Sequence, residues 1–199
     1  MADLSLYSVK AVLILDNEGK RVFAKYYQPS WGSTTTNDPS NHHDVASYSV
    51  KDQKAFEHGL FSKTNKQNAD VLIYDQKVIV YKQSLDISIY VVSANLDENE
   101  AMLYQVLMGL RDALEALLKK SLDKRTALEN YDLLALAVDE TIDGGIILEV
   151  DPAIISSRVS RAPANEPNLN NIDLSEQGLM NAYQFAKGKL ADRLRQQFQ

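Results

Sequence analysis

Residues 9–27 read V-K-A-V-L-I-L-D-N-E-G-K-R-V-F-A-K-Y-Y, two largely apolar runs on either side of Asp16-Asn17-Glu18-Gly19. The spacing predicts two strands joined by a tight turn, with Gly19 free to take the positive φ that such a turn needs. The first run is apolar on both parities, at Val9, Ala11, Leu13 and Leu15 and again at Val12 and Ile14. A strand apolar on both faces is covered on both faces, so it belongs inside a sheet with helices above and below. The second run alternates, with Val22, Ala24 and Tyr26 facing one way and Arg21, Phe23, Lys25 and Tyr27 the other.

Working outward, residues 28–47 form a polar stretch rich in Pro, Gly, Ser and Thr, with no period, and read as a long flexible insert loop carrying Trp31 and His42-His43. A helix is predicted over 49–63, capped by Ser49 with Asp52 three residues on. Three short strands follow, over 71–74, 78–82 and 85–93, with links that can only join antiparallel neighbours. On the last strand Leu85, Ile87, Ile89 and Val91 share one face, and Asp86, Ser88 and Tyr90 share the other. Leucines and Val106 recurring at three and four residues predict a helix over 97–118, about 33 Å long, enough to cross a five-stranded sheet. A second long helix is expected near 125–142, with Leu128, Tyr131, Leu134, Ala135 and Val138 on its apolar side and Gly144-Gly145 at its end. Asp151-Pro152 opens a further helix, and 162–171, with two prolines and four asparagines, reads as a linker. Leu179, Tyr183, Ala186, Leu190, Leu194 and Phe198 then place an apolar stripe on a tail helix over 175–199. The expected division is a first domain over 1–150 and a helical extension over 151–199.

Composition narrows the function. The 199 residues carry 27 Asp plus Glu against 21 Lys plus Arg. An acidic chain without a basic block lacks the counterion-displacing surface of a nucleic-acid binder, and the same balance gives it little grip of its own on anionic membrane. No apolar run approaches the length of a membrane span, and no secretory signal is expected at the N-terminus. The chain has no cysteine, which excludes thiolate chemistry and fits a reducing compartment, so a soluble cytoplasmic protein is expected.

A catalytic constellation is not found. The three histidines are the loop pair and His58 on the polar side of a helix, and neither common phosphate-cradling glycine motif occurs. Asp139, Glu140 and Asp143 cluster near a helix C-terminus, but only Asp139 and Asp143 share a face, and acid is misplaced there, which points to a backbone amide or a basic residue in trans as partner. No catalytic, cofactor or metal site is therefore expected. The ten tyrosines stand out, several of them on strands, because a ring with a polar tip suits protein interfaces. Tyr26, Tyr27 and Tyr81, with Ser88 and Tyr90 on the polar face of the last strand, are the expected partner contacts.

The run L-I-L-D-N-E-G-K-R-V-F-A-K-Y-Y, then Y-S-V-K-D-Q-K-A-F-E, V-I-V-Y-K-Q-S-L-D-I-S-I-Y-V-V and L-A-V-D-E-T-I-D-G-G-I-I-L-E-V-D-P resembles the zeta-subunit family of coatomer, the COPI vesicle coat. More distantly the chain is similar to the sigma small chains of clathrin adaptors. The resemblance implies the α/β longin fold: a five-stranded antiparallel sheet flanked by helices on both faces. It also implies a structural subunit paired with the coatomer gamma large subunit and recruited to Golgi membrane with the other coat subunits by an Arf-type GTPase. Its work would be retrograde Golgi-to-ER and intra-Golgi transport. Two alternatives stay open, a sigma-type chain that recognises dileucine signals and a longin scaffold that regulates a small GTPase. Signal-binding sigma chains carry a base three positions after the turn glycine, where this chain has Val22, with Arg21 one residue earlier. A one-residue offset on a strand turns a side chain to the opposite face, which argues against dileucine recognition.

Overall fold

The computed structural model describes residues 6–27, 49–65, 67, 69–119 and 121–160. The insert loop over 28–47, with Trp31 and His42-His43, and the linker and tail helix beyond 160 lie outside the described residues. Two compact units divide the chain, Met1–Ser160 and Arg161–Gln199, and the elements below belong to the first.

β1 (Val9–Asp16) and β2 (Arg21–Tyr26) form the opening hairpin, with Gly19 at φ 76° in its turn. α1 (Val50–Thr64) follows, and Ser49 caps it by accepting the backbone N–H of Asp52 and donating to that residue's carboxylate at 2.7 Å. Then come β3 (Val71–Tyr74), β4 (Lys77–Ser84) and β5 (Ile87–Ser93). The five strands make one antiparallel sheet in the order β2-β1-β5-β4-β3. α2 (Glu100–Leu118), α3 (Lys124–Glu129), α4 (Tyr131–Thr141), the two-stranded pair β6 (Ile142–Asp143) and β7 (Ile146–Ile147), and α5 (Pro152–Val159) complete the unit.

The expected alternation builds two cores, one on each face of the sheet. Val12, Ile14, Val80, Ile89 and Val91 meet Leu103, Leu107, Leu110 and Leu114 of α2, with Leu134 and Val138 of α4 and Ile155 of α5. Ala11, Leu13, Leu15, Ile79 and Val92 meet Phe56 and Leu60 of α1. Every residue of β1 is buried, as its double apolar parity requires.

Four details differ from the sequence expectation. α2 begins at Glu100 rather than at Asp97, because Asn99 caps it, its Oδ1 accepting the N–H groups of Ala101 and Met102. The long helix expected near 125–142 is broken at Asn130 (φ −125°, ψ 42°), whose Nδ2 donates to the carbonyl of Thr126 at 2.9 Å. Asn offers a helix end a side-chain partner and leaves the αR region easily, so it splits the apolar stripe and turns Leu128 and Tyr131 out to solvent. On β2, Ile14 faces Phe23 but Leu15 faces Arg21, so Val22 is an extra, bulged residue. Val22 therefore joins Phe23 in the α2-side core. α5, placed by sequence in the extension, packs with its Ile155 into that same core.

The Asp143-Gly144-Gly145 turn docks the helical layer on β1. Gly145 (φ 88°) accepts the N–H of Val9 at 3.0 Å, and a Cβ there would lie 2.6 Å from the Val9 carbonyl oxygen. Gly109 of α2 admits the chain entering α5 equally closely, since a Cβ would fall 2.1 Å from the Val150 oxygen. At the other end of the sheet, the buried Asp16 carboxylate accepts the N–H groups of Glu18 and Lys20 at 2.9 and 2.8 Å and the Lys124 ammonium at 2.8 Å. Asp86 accepts the Lys124 N–H at 2.8 Å, and its carbonyl accepts the Asn17 N–H at 2.9 Å. Both strand turns and the start of α3 are thus tied together.

Gly145→Ala is expected to cost about 2 kcal/mol or more, because it combines a left-handed φ with a backbone clash, read as a lower urea midpoint at unchanged slope. For Asp16, burial opposes ionisation, but Lys124 and the N–H groups of Lys20 and Glu18 outweigh it and hold the carboxyl below its ordinary 3.8. A lowered folded pKa gives stability that is complete above the unfolded value and is lost as pH falls through the folded one. Asp16→Asn should therefore lose roughly 1–3 kcal/mol at pH 7, and the gap to the parent should narrow below about pH 4 in urea melts run across that range.

Candidate partner interface

The five expected contact residues are found mostly inside. Because of the bulge at Val22, Arg21 lies on the α1 face of β2 with Ala24 and Tyr26, not with Phe23 and Lys25. There its guanidinium grips Glu57 of α1 with Nη2 at 2.6 Å and Nε at 3.0 Å, and Nη2 reaches the Gln53 oxygen at 3.3 Å. The Tyr26 hydroxyl donates to the same Glu57 oxygen at 2.7 Å. The Glu57 side chain is only 3% exposed, so this is a buried, bidentate pair with its second acceptor position filled. Burial, then the Glu57 charge, drives the Tyr26 hydroxyl pKa far above its ordinary value. Burial opposes the charge on Arg21, but Glu57 more than compensates.

Tyr81 and Tyr90 stack under α1 with ring centroids 5.6 Å apart and planes 18° from parallel. The Tyr90 hydroxyl bonds Thr64 Oγ1 at 2.9 Å, and Ser88 is buried beside it on the same face. The face that looked polar in the sequence is therefore the floor of the α1 core, its hydroxyls satisfied internally. Tyr27 is buried on the other side, its hydroxyl donating to the Ile142 carbonyl at 3.2 Å, where it supports the β6–β7 turn. Lys25 sits 5.4 Å from the Tyr27 ring centroid and pairs with Asp139 at 2.5 Å, which gives that acidic residue its base in cis. Glu140 and Glu149 share Arg158 of α5 at 3.6 and 3.7 Å. His58 is exposed on α1, and among the described residues no three potential ligands gather as a metal site.

Among the charged and polar residues at the surface stand several large apolar ones. Val71 (40% exposed) and Ile73 (66%) stand on edge strand β3, Leu128, Tyr131 and Leu136 on α3 and α4, and Leu148 and Ile154 around the start of α5. Of the five expected contacts, Tyr26 alone keeps part of its ring exposed. The exposure of Leu128 and Tyr131 was missed because periodicity assigns them to a core that the Asn130 break takes away. An open hollow of about 440 Å³ beside α3 is lined by Asp86, Lys124, Arg125, Leu128 and Glu129. Its bases are already engaged, Lys124 by Asp16 and Arg125 by Glu129 at 2.7 Å.

Residues 8–166 match the family model described as the clathrin adaptor complex small chain. Coatomer subunit zeta of Saccharomyces cerevisiae is 47% identical over 196 residues, covering 98% of this chain and 99% of that protein. Coatomer subunit zeta-1 of Homo sapiens is 41% identical over 94% of this chain and 92% of that one. A chain of a homology model of the full-length AP-3 complex in a stretched open conformation superposes with a TM-score of 0.55 at 15% identity, over 76% of this chain and 90% of its own length, a likeness of fold. The sheet expected from the sequence, with helices on both faces, is thus the adaptor small-chain fold, and the chain belongs to the clathrin adaptor small-chain family, among the coatomer zeta subunits.

Proposed function

We propose that this chain is the small structural subunit of a COPI coat, non-enzymatic, forming a tight heterodimer with the gamma large subunit. In this reading it travels to Golgi membrane and coated vesicles within the whole coat, through an Arf-type GTPase, and serves retrograde Golgi-to-ER and intra-Golgi transport. Its relatives by sequence are coatomer zeta subunits, and no helix among its described residues is long and apolar enough to cross a membrane.

The observation that carries the reading is the division between inside and outside. The Arg21, Lys25, Lys124 and Arg158 cations are engaged by carboxylates of the chain, while Val71, Ile73, Leu136, Leu148 and Ile154 stay exposed. The cations along its sheet and helical layer are held within the chain, and it has apolar surface to hide, which suits permanent assembly. Tyr26, half-buried over Glu57, belongs to the proposed contact set, and the exposed aliphatic residues replace its four buried companions.

The same pairing weighs against cargo reading. An acidic dileucine signal needs a free base near the opening hairpin, and Arg21 already holds a buried carboxylate of its own chain. Co-expression with a gamma-type large subunit should give one stoichiometric peak on size-exclusion chromatography; a chain that elutes alone at micromolar concentration removes the obligate-subunit reading. Isothermal titration of the purified chain with an acidic dileucine peptide should give no heat, whereas saturable binding would restore the sigma-type alternative.

A further inference from the structure

β3 is the last strand of the sheet, and among the described residues nothing pairs with its outer side. The Asp70 carbonyl accepts the N–H of Tyr81 at 2.9 Å, which makes Asp70 and Tyr81 a hydrogen-bonded pair across β3 and β4. Antiparallel partners alternate between bonded and non-bonded pairs, so Leu72–Ile79 is bonded while Val71–Val80 and Ile73–Val78 are not. The N–H and C=O groups of Val71 and Ile73 therefore point away from the sheet.

Their side chains share the α2 face with Val80 and Val78, which are buried, yet lie at 40% and 66% exposure because the helix layer stops short of the edge. Natural edges are blunted by shortness, and β3 is short, but more firmly by charge, proline or a bulge. β3 has none of the last three: its four residues are Val71, Leu72, Ile73 and Tyr74, in unbroken register with β4. An apolar edge with free backbone groups fits an added strand better than a packed helix, because a helix has no free backbone groups to offer it.

We propose that an extended segment of the large coat subunit adds to β3 as a sixth strand. It would bond the outward groups of Val71 and Ile73 and lay alternate apolar side chains beside theirs. The occupant is not a second copy of this chain. Two four-residue edges meeting would bury far less than the roughly 1,200 Å² of a stable specific interface. A strand this short holds only as part of a larger surface that supplies the rest of the affinity. The inference rests on the subunit reading above, since that partner is what brings the strand.

The test is hydrogen exchange of the full chain, free and in complex with the large subunit, followed in the peptide spanning residues 69–76. Slowed exchange at the Val71 and Ile73 amides only in the complex is the expected result. A complex that forms while these amides exchange as in the free chain overturns the added strand and leaves the subunit reading intact. Failure to form a complex removes both. Protection that grows with the concentration of the free chain overturns the choice of occupant in favour of self-pairing. Ile73→Pro removes one outward N–H without touching the β4 ladder, so the free chain should fold with an unchanged circular dichroism spectrum. Its affinity for the large subunit should fall about tenfold, and equal affinity for parent and variant would count against the strand.

Discussion

β1 is buried from Val9 to Asp16 on both faces, and the unit is arranged to make that possible. An amphipathic strand needs one cover, but this one needs two, so α1 must lie across one face of the sheet and α2 with its companions across the other. Its ends need attention as well. At the start, the Val9 N–H is met by Gly145, and at the end the Asp16 carboxylate is met by Lys124 and two turn amides. Each closure draws on a group more than a hundred residues later, Gly145 in the β6–β7 turn and Lys124 at the start of α3, so the first strand is complete only when that later part of the chain has docked.

That arrangement settles where the polar chemistry goes. Tyr90, Tyr27, Glu57 and Asp16 are enclosed by the covers over the sheet, and each finds its partner within the chain. Enclosed groups of this kind hold position and exclude alternatives, but they are not offered to a ligand. The surface is left to side chains for which the helical layer is too small, at the β3 edge and on α4 and α5. The coat-subunit reading follows from this inversion, in which the aromatic hydroxyls lie inside and the aliphatic groups outside.

The bulge at Val22 shows how one residue can redirect a functional argument. Strict alternation from Gly19 puts Arg21 on the α2 side with Phe23 and Lys25, yet the inserted residue returns it to the α1 side, where Glu57 waits. The parity argument falls with the bulge, and what weighs against a free base for an acidic signal is the pairing with Glu57. Parity had Arg21 facing away; the structure has it facing α1 and already engaged.

The opening hairpin, the capped α1, the three strand partners, the leucine stripe of α2 and the Asp151-Pro152 start of α5 were all fixed by the sequence, because each rests on local signals: period, cap and turn residue. The family resemblance was also carried there, through the hairpin and the D-G-G turn. The break at Asn130 is a local signal that the apolar period overrode in the reading, whereas tertiary structure alone decided the bulge at Val22 and the burial of Tyr27, Tyr81, Ser88 and Tyr90. Those outcomes depend on which distant element arrives as cover. A tyrosine on a strand reads the same in sequence whether a helix or a partner lies above it, and only the placement of α1 and α4 distinguishes the two.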